Sequence, residues 1–374
     1  MMTSSSTAFA SGNSSSSNDK IQVMIVNDSM YMRSLFSDLI STSQRLQVSD
    51  TANDGVDALR KVRKSRPDVV LLDLEMPNMD GLSFIENVMP ADPLPVVLVS
   101  SYGQKGADVV FDALEMGAVD FVPIPQDDPE KMRDLRSTLV SKLEIAAQTK
   151  NRLRLKMAKA ARKQASTAVR ARTPPSLKTM ANGHEDSAVV VIGASTGGPG
   201  VVGEIMSRLS ADLPAGVLIV QHMPEGFTKS FADRLNGISK MPVREAREGD
   251  AIRPGTALLA PGDYHLLVKP SRVVELNKSP RRFGVRPAIN MSMVSASQVY
   301  GRKTVGVLLT GMGHDGAFGM KMIKRKGGMT VGQDESSSVV FGMAKAAAEM
   351  DAVDRLLPTE LIPEEIERMV ASVQ

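Results

Sequence analysis

The run Ala188–Ile192 leads into Gly193-Ala194-Ser195-Thr196-Gly197-Gly198, a G-x-S-x-G spacing on an expected strand-to-helix turn. Glycines allow the tight turn, and the N-terminus of the following helix stabilises nearby negative charge. Such a turn suits two chemistries. It can expose a serine nucleophile, or it can cradle a phosphate or dinucleotide. The fuller G-x-G-x-x-G spacing is absent. A serine nucleophile needs a base, and the base needs an orienting acid. The chain has four histidines. His184 falls in an expected linker, His265 reads as a structural histidine in a GDYHLL turn, and His314 reads as an exposed loop residue. His222 directly follows an apolar run, VLIVQHM, which places it on the same strand-end edge as Ser195. Asp315 lies in TGMGHDGA after the run VGVLLT and is expected to open a helix. It either orients a base or simply caps that helix. The chain order Ser–His–Asp differs from the Ser–Asp–His of α/β-hydrolases, so a triad here implies another fold.

A second constellation is acidic. Asn27-Asp28 follow the run Gln22–Val26, Asp73 ends Val69–Leu72, and Ser100-Ser101 follow Val96–Val99. Carboxylates at Asp28 and Asp73 on one edge would suit a hard cation such as Mg²⁺. Asp73 could then accept a phosphoryl group, with the Ser100 hydroxyl bonding its oxygens. The plainer alternative is that these residues cap the helices that follow.

Both constellations need strand ends to position them. From Ile21 the chain alternates short apolar runs with stretches of helical spacing, such as Met32, Leu35, Phe36, Leu39 and Ile40. Five such βα units within residues 20–147 predict a flavodoxin-like parallel sheet with helices on both faces. A second α/β unit, residues 187–374, is predicted to be doubly wound, mostly parallel and Rossmann-like. Its expected strands include Ala188–Ile192, Gly216–Val220, Ala257–Ala260, Val305–Leu309 and Gly328–Val331. The length of 374 residues fits two such domains. The Ser-rich residues 1–19 read as disordered, and residues 148–186 as a linker.

Composition narrows the function further. There is no cysteine, which excludes disulfides, thiolate metal sites and a cysteine nucleophile. No apolar run approaches the roughly 18–20 residues that span a bilayer, and the N-terminus does not read as a secretory signal. The formal net charge of +3 hides an uneven distribution. Residues 1–126 carry 9 basic and 16 acidic side chains, whereas residues 150–178 carry 10 basic and no acidic ones. The basicity therefore belongs to the linker, which argues against a nucleic-acid-binding fold. The linker reads as a solvated tether, or as an electrostatic attachment to an acidic surface.

The motifs also resemble known families. VMIVNDS, LLDLEMPNMDG, VVLVSS and GAVDFVPIP resemble a response-regulator receiver domain. That resemblance implies Asp73 as phosphoacceptor, Asp28 as a Mg²⁺ ligand beside it, Ser100 against the phosphoryl group and Phe121 as the aromatic switch residue. Two departures stand out. Asn27 replaces the first of two acids, and Ile124 replaces a lysine after the fifth strand, so weak phosphorylation or altered signalling is expected. IGASTGGP, VQHMP, LAPGDYHLLV, LLTGMGHDGAFGM and GQDESSSVVFGM resemble the catalytic domain of chemotaxis protein-glutamate methylesterases. This implies Ser195 as nucleophile, His222 as general acid/base and Asp315 as the orienting acid. The backbone near Thr196 and Met312 would stabilise the oxyanion, with no catalytic cofactor. The implied substrates are γ-glutamyl methyl esters, and glutamine amides, on cytoplasmic helices of chemoreceptors. A chemotaxis histidine kinase would be the phosphodonor, in the cytoplasm, with no nucleic acid as partner. Asn290, in Arg286-Pro287-Ala288-Ile289-Asn290, replaces an aspartate of the family pattern; losing that aspartate is expected to leave the triad untouched and to bear instead on substrate fit or a loop anchor. The receiver is expected to pack over the catalytic edge and inhibit it. A non-enzymatic signalling adaptor on the same scaffold is the alternative.

Overall fold

The computed structural model describes residues 20–101, 104–124, 129–150 and 187–373. The tail 1–19, His184 and most of the 148–186 stretch lie outside the described residues.

The first unit runs β1 (Ile21–Val26), α1 (Met30–Ser41), β2 (Leu46–Ala52), α2 (Gly55–Ser65), β3 (Val69–Asp73), α3 (Gly81–Ala91), β4 (Val96–Ser101), α4 (Gln104–Glu115), β5 (Asp120–Ile124) and α5 (Pro129–Gln148). Its five strands pair in parallel in the order β2-β1-β3-β4-β5. The first four residues of β3 are wholly buried, as befits a central strand covered on both faces. Helix starts are marked by side-chain caps. Ser29, Asp54 and Asp80 accept backbone N–H bonds from Met32, Asp57 and Ser83. The order reverses between β1 and β3, and Asp28 and Asp73 stand at the carboxyl ends of those two strands.

The second unit runs β6 (Ala188–Ala194), α6 (Gly198–Arg208), β7 (Ala215–Gln221), α7 (Phe227–Ile238), β8 (Val243–Glu245), β9 (Ala257–Leu259), β10 (His265–Val268), β11 (Val274–Asn277) and α8 (Ile289–Tyr300). It continues with β12 (Thr304–Leu308), α9 (Ala317–Arg325), β13 (Met329–Gln333), α10 (Met343–Glu349), β14 (Arg355–Leu357) and α11 (Ile362–Ser372). Seven strands form a parallel sheet in the order β14-β13-β12-β6-β7-β9-β8, while β10 and β11 form a separate hairpin. Every residue of β6 and β7 is buried, so their unbroken apolar runs follow from their central place. Here the order reverses at β6, with β7 on one side and β12 on the other.

Asp315 does not open α9 as expected; Gly316 caps that helix at φ 92° and it begins at Ala317. Sequence patterning also misses α8. Its sequence, INMSMVSASQVY, buries three serine or asparagine side chains, at 290, 292 and 297, so no clean apolar stripe announces it.

Among the described residues no strand is shared between the two sheets. The units meet through side chains of α4, β5 and α5. Phe111 stacks on Phe231 at 5.3 Å, and Phe121 stacks on Phe227 at 4.6 Å. Arg234 pairs with Asp112 at 2.9 Å and with Glu115 at 2.7 Å.

Candidate active site at the switch of the second sheet

Open parallel sheets bind ligands outside their carboxyl edge, where the strand order reverses. Ser195 follows β6, His222 follows β7, and Asp315 lies seven residues beyond β12. These three strands are neighbours. Ala194 and Gln221 are register partners, and the His222 N–H donates to Ala194 O at 3.0 Å. Ser195 and His222 therefore leave the sheet side by side.

The His222 ring is held by Asp315. Nε2 lies 2.8 Å from Asp315 Oδ2, with both side chains largely buried. An ionised carboxylate can only accept, so Nε2 carries the proton and Nδ1 keeps the lone pair. Among the described residues Nδ1 has no hydrogen-bond partner, and neither does Ser195 Oγ.

Asp315 is fixed by more than the histidine. The N–H groups of Ile289 and Asn290 donate to it at 2.7 and 3.0 Å, and that of Gly316 at 3.0 Å. The carboxylate thus caps the N-terminus of α8, a helix distant in sequence, at the positive end of its dipole. Burial alone would raise the Asp315 pKa. The His222 contact and the Asn290 and Ile289 N–H bonds outweigh that and hold it below the ordinary aspartate range. The Asn290 backbone N–H holds Asp315, a contact any residue at this position would make, while its side-chain Oδ1 accepts from the Gly319 N–H at 2.7 Å and ties α8 to α9.

The serine turn is equally constrained. Ser195 N–H donates to Thr310 O at 3.0 Å, and Ser195 O accepts from Gly198 N–H at 2.8 Å and from the Gln221 side chain at 2.8 Å. The N–H groups of Thr196 and Met312 have no protein acceptor among the described residues, which leaves them available to a developing oxyanion. Gly311 packs so closely that an added Cβ would lie 2.7 Å from Ser195 Cβ and 2.3 Å from Met343 Cε. A Gly311→Ala change is therefore expected to displace Ser195 and slow its labelling by a fluorophosphonate about 100-fold, since misplacing a reacting atom by about 1 Å costs that much. Labelling within twofold of the wild type would refute this.

Thr196 carries a contact that no sequence signal announces. Its buried Oγ1 donates to Asp120 Oδ2 of the first unit at 2.6 Å, and Asp120 Oδ1 accepts from Lys142 Nζ at 2.9 Å. Met312, an exposed side chain, places its sulfur 3.1 Å from Ser141 Oγ on α5. The first unit thus reaches both candidate oxyanion residues. Of the other histidines, His265 opens β10 rather than lying in a turn. It is fully buried; Nδ1 accepts from Ala288 N–H at 3.1 Å and Nε2 donates to Pro280 O at 3.3 Å. His314 is exposed.

At the acidic edge of the first sheet, Asn27 Nδ2 donates to Asp73 Oδ2 at 2.6 Å, and Asp73 Oδ1 accepts from the Glu75 N–H at 3.2 Å. Burial pushes the Asp73 pKa up to about 6; the Glu75 N–H opposes this and the negative charge of Asp28 adds to it. Among the described residues no salt bridge reaches Asp28 or Asp73. Arg33 spends its guanidinium on the carbonyls of Asn27 and Asp28. Ser100 is buried on β4, and Phe121 is buried at the contact between the units.

The family model described as CheB methylesterase matches residues 190–366, and that of the response regulator receiver domain matches residues 23–136. The chain is 44% identical over 362 residues to a protein-glutamate methylesterase/protein-glutamine glutaminase of Pyrococcus horikoshii, covering 95% of each chain. A protein of the same name from Symbiobacterium thermophilum is 42% identical over 351 residues, covering 94% of this chain and 97% of the relative. A solved CheB methylesterase catalytic domain from Thermotoga maritima is 42% identical, covering 49% of this chain and 99% of that one with a TM-score of 0.48.

Proposed function

Since the chain belongs to the CheB methylesterase family, carboxylic ester hydrolases here joined to a response-regulator receiver, we propose that it hydrolyses glutamate γ-methyl esters on chemoreceptors and deamidates receptor glutamines. The observation that carries this reading is the His222–Asp315 contact at 2.8 Å beside the Ser195 turn, at the switch of the second sheet.

Ser195 Oγ attacks the γ-carbonyl carbon while His222 Nδ1 takes its proton. Asp315 holds the ring and stabilises the imidazolium. The oxyanion lies against the N–H groups of Thr196 and Met312. The C–O bond to methoxide breaks as His222 returns the proton, and methanol leaves. Water, deprotonated by His222, then cleaves the acyl-serine to glutamate. With a glutamine substrate the leaving group is ammonia. The test measures methanol from a methylated receptor fragment and ammonia from its glutamine form. Release of both by the purified chain is expected; release of neither overturns the reading.

Residues 20–147 act as the receiver and 187–374 as the catalytic domain, joined by a basic tether, in the cytoplasm. Asp73 accepts a phosphoryl group from a chemotaxis histidine kinase. The donors at this edge suit a hard cation, because Asp28 and Asp73 supply carboxylate oxygens and, among the described residues, neither is salt-bridged. Mg²⁺ held there would screen the incoming phosphoryl group. Asn27 contributes an amide instead of a third carboxylate, and Ile124 contributes no charge. Phosphorylation is therefore weak. The Asp120–Thr196 hydrogen bond and the aromatic stacks hold the receiver against the serine turn and keep basal activity low. The fragment 187–374 retains the whole seven-stranded sheet. It is expected to hydrolyse receptor esters about tenfold faster than the full chain, with or without acetyl phosphate, a factor matching the loss of about 1.4 kcal/mol of restraint. Equal rates would contradict the inhibitory arrangement.

A further inference from the structure

Between Glu275 and Asp315 the chain has no acidic residue, yet it carries Lys278, Arg281, Arg282 and Arg286 within nine positions. This basic stretch is a built surface beside the candidate active site. Arg286 is neutralised by Asp263 at 2.6 Å and also donates to the carbonyls of Lys278 and Ser279, while His265 ties down Pro280. The loop is thereby fixed, and Lys278, Arg281 and Arg282 are exposed on it, Arg281 lying 3.9 Å from Asp263 as well. Arg282 has no carboxylate partner among the described residues, and Lys278 lies over the Tyr264 ring.

The tip is a two-residue turn. Arg282 and Val285 exchange backbone hydrogen bonds at 3.1 and 3.0 Å, and Phe283 and Gly284 both take positive φ, 53° and 78°. Turns of this kind favour Asn-Gly, and an aromatic residue at positive φ is strained. The exposed Phe283 ring lies edge-on to His314 at 4.6 Å, one residue from Asp315. A helix already touches this surface. Asp134 of α5 lies 3.5 Å from Arg281, and Ser141 on the same helix meets Met312.

Resting on the hydrolase reading above, we infer that the loop 278–286 is the substrate-docking surface. Arg281 and Arg282 select a helix bearing carboxylates around the ester, and Phe283 supplies the apolar contact. Asp134 of the receiver occupies the same cation when the substrate helix is absent. Charge pairing of this kind is salt-sensitive and confers preference more than raw affinity.

The test uses the full chain carrying Ser195→Ala and two synthetic helical peptides, each with one central γ-methyl glutamate. Glu flanks it at positions three and four residues away in one peptide, and Gln in the other, so the flanks share its helix face. Fluorescence anisotropy is expected to give about tenfold tighter binding of the Glu-flanked peptide, a preference worth about 1.4 kcal/mol. The preference shrinks at high salt and vanishes in an Arg281→Ala/Arg282→Ala variant with an unchanged melting temperature. Phe283→Ala weakens both peptides and keeps the preference, and Asp134→Asn strengthens the Glu-flanked one. Equal affinity for both peptides overturns the inference. So does a preference that survives the double arginine variant, or no saturation below about 1 mM even with Asp134→Asn. Methanol release by the chain with Ser195 intact tests the reaction separately. Selective binding without release would remove the hydrolase reading and leave the docking surface standing.

Discussion

Ser195→Ala is expected to abolish methanol release, by about 10⁴-fold or more, because nucleophile and base act as one unit and residual catalysis comes only from binding and the oxyanion donors. The fold should not register the change. Ser195 Oγ has no hydrogen-bond partner among the described residues, and the bonds that shape the turn run through backbone N–H and C=O groups that alanine keeps. The melting temperature is expected to stay within about 2 °C of the wild type, as for a substitution that removes no buried contact. This pairing of a large kinetic effect with a small thermal one makes the result diagnostic. A variant that retained a tenth of the activity would take the nucleophile's role from Ser195. A variant that lost activity by unfolding would show it in the melt.

Asp315→Asn should lose about 10⁴-fold in kcat and also lose stability. The carboxylate accepts from four N–H groups: His222 Nε2 and the backbones of Ile289, Asn290 and Gly316. An amide has one oxygen and an NH₂ that can only donate. If its oxygen serves the helix, its NH₂ faces His222 and forces the proton onto Nδ1, which removes the base's lone pair from the serine side. If it serves His222, backbone donors of α8 face an NH₂ in a buried site, at a cost of about 1–3 kcal/mol. Urea titration and single-turnover hydrolysis separate the two losses. The pH dependence has a fixed sign. The Asp315 pKa is lower folded than unfolded, so its stabilisation is complete above the ordinary aspartate value of about 3.9 and disappears as pH falls through the depressed value. The asparagine variant lacks that term and should show a shallower loss of stability below about pH 4. An identical acid-unfolding profile for both proteins would argue against the depressed pKa.

Much of this was legible from residue types because strand ends mark the carboxyl edge of a parallel sheet. VLIVQHM reads as a short buried strand with His222 just past its end, and the structure has His222 directly after β7. The acidic edge of the first unit was legible for the same reason at Asp28 and Asp73. Part of what escaped depends on tertiary placement. Helix α8 escaped because its polar residues are buried and satisfied locally, so its sequence shows no stripe. Its capping by Asp315, 26 positions from Ile289, depends on tertiary placement. The bond from Thr196 to Asp120 spans 76 positions and joins separate sheets, which no periodicity encodes. Gln221 had a faint signal, a polar residue ending an otherwise apolar strand. Its role in holding the Ser195 carbonyl appears only in three dimensions.

The absence of any shared strand between the sheets has an evolutionary corollary. No backbone hydrogen bond among the described residues crosses from one unit to the other. The conversation between them is written in side chains such as Asp120, Phe121, Asp134 and Arg234, each replaceable by a single codon change. The regulatory half is therefore a portable cassette. Side-chain changes at this contact can alter how the two halves meet without breaking a backbone hydrogen bond of either sheet.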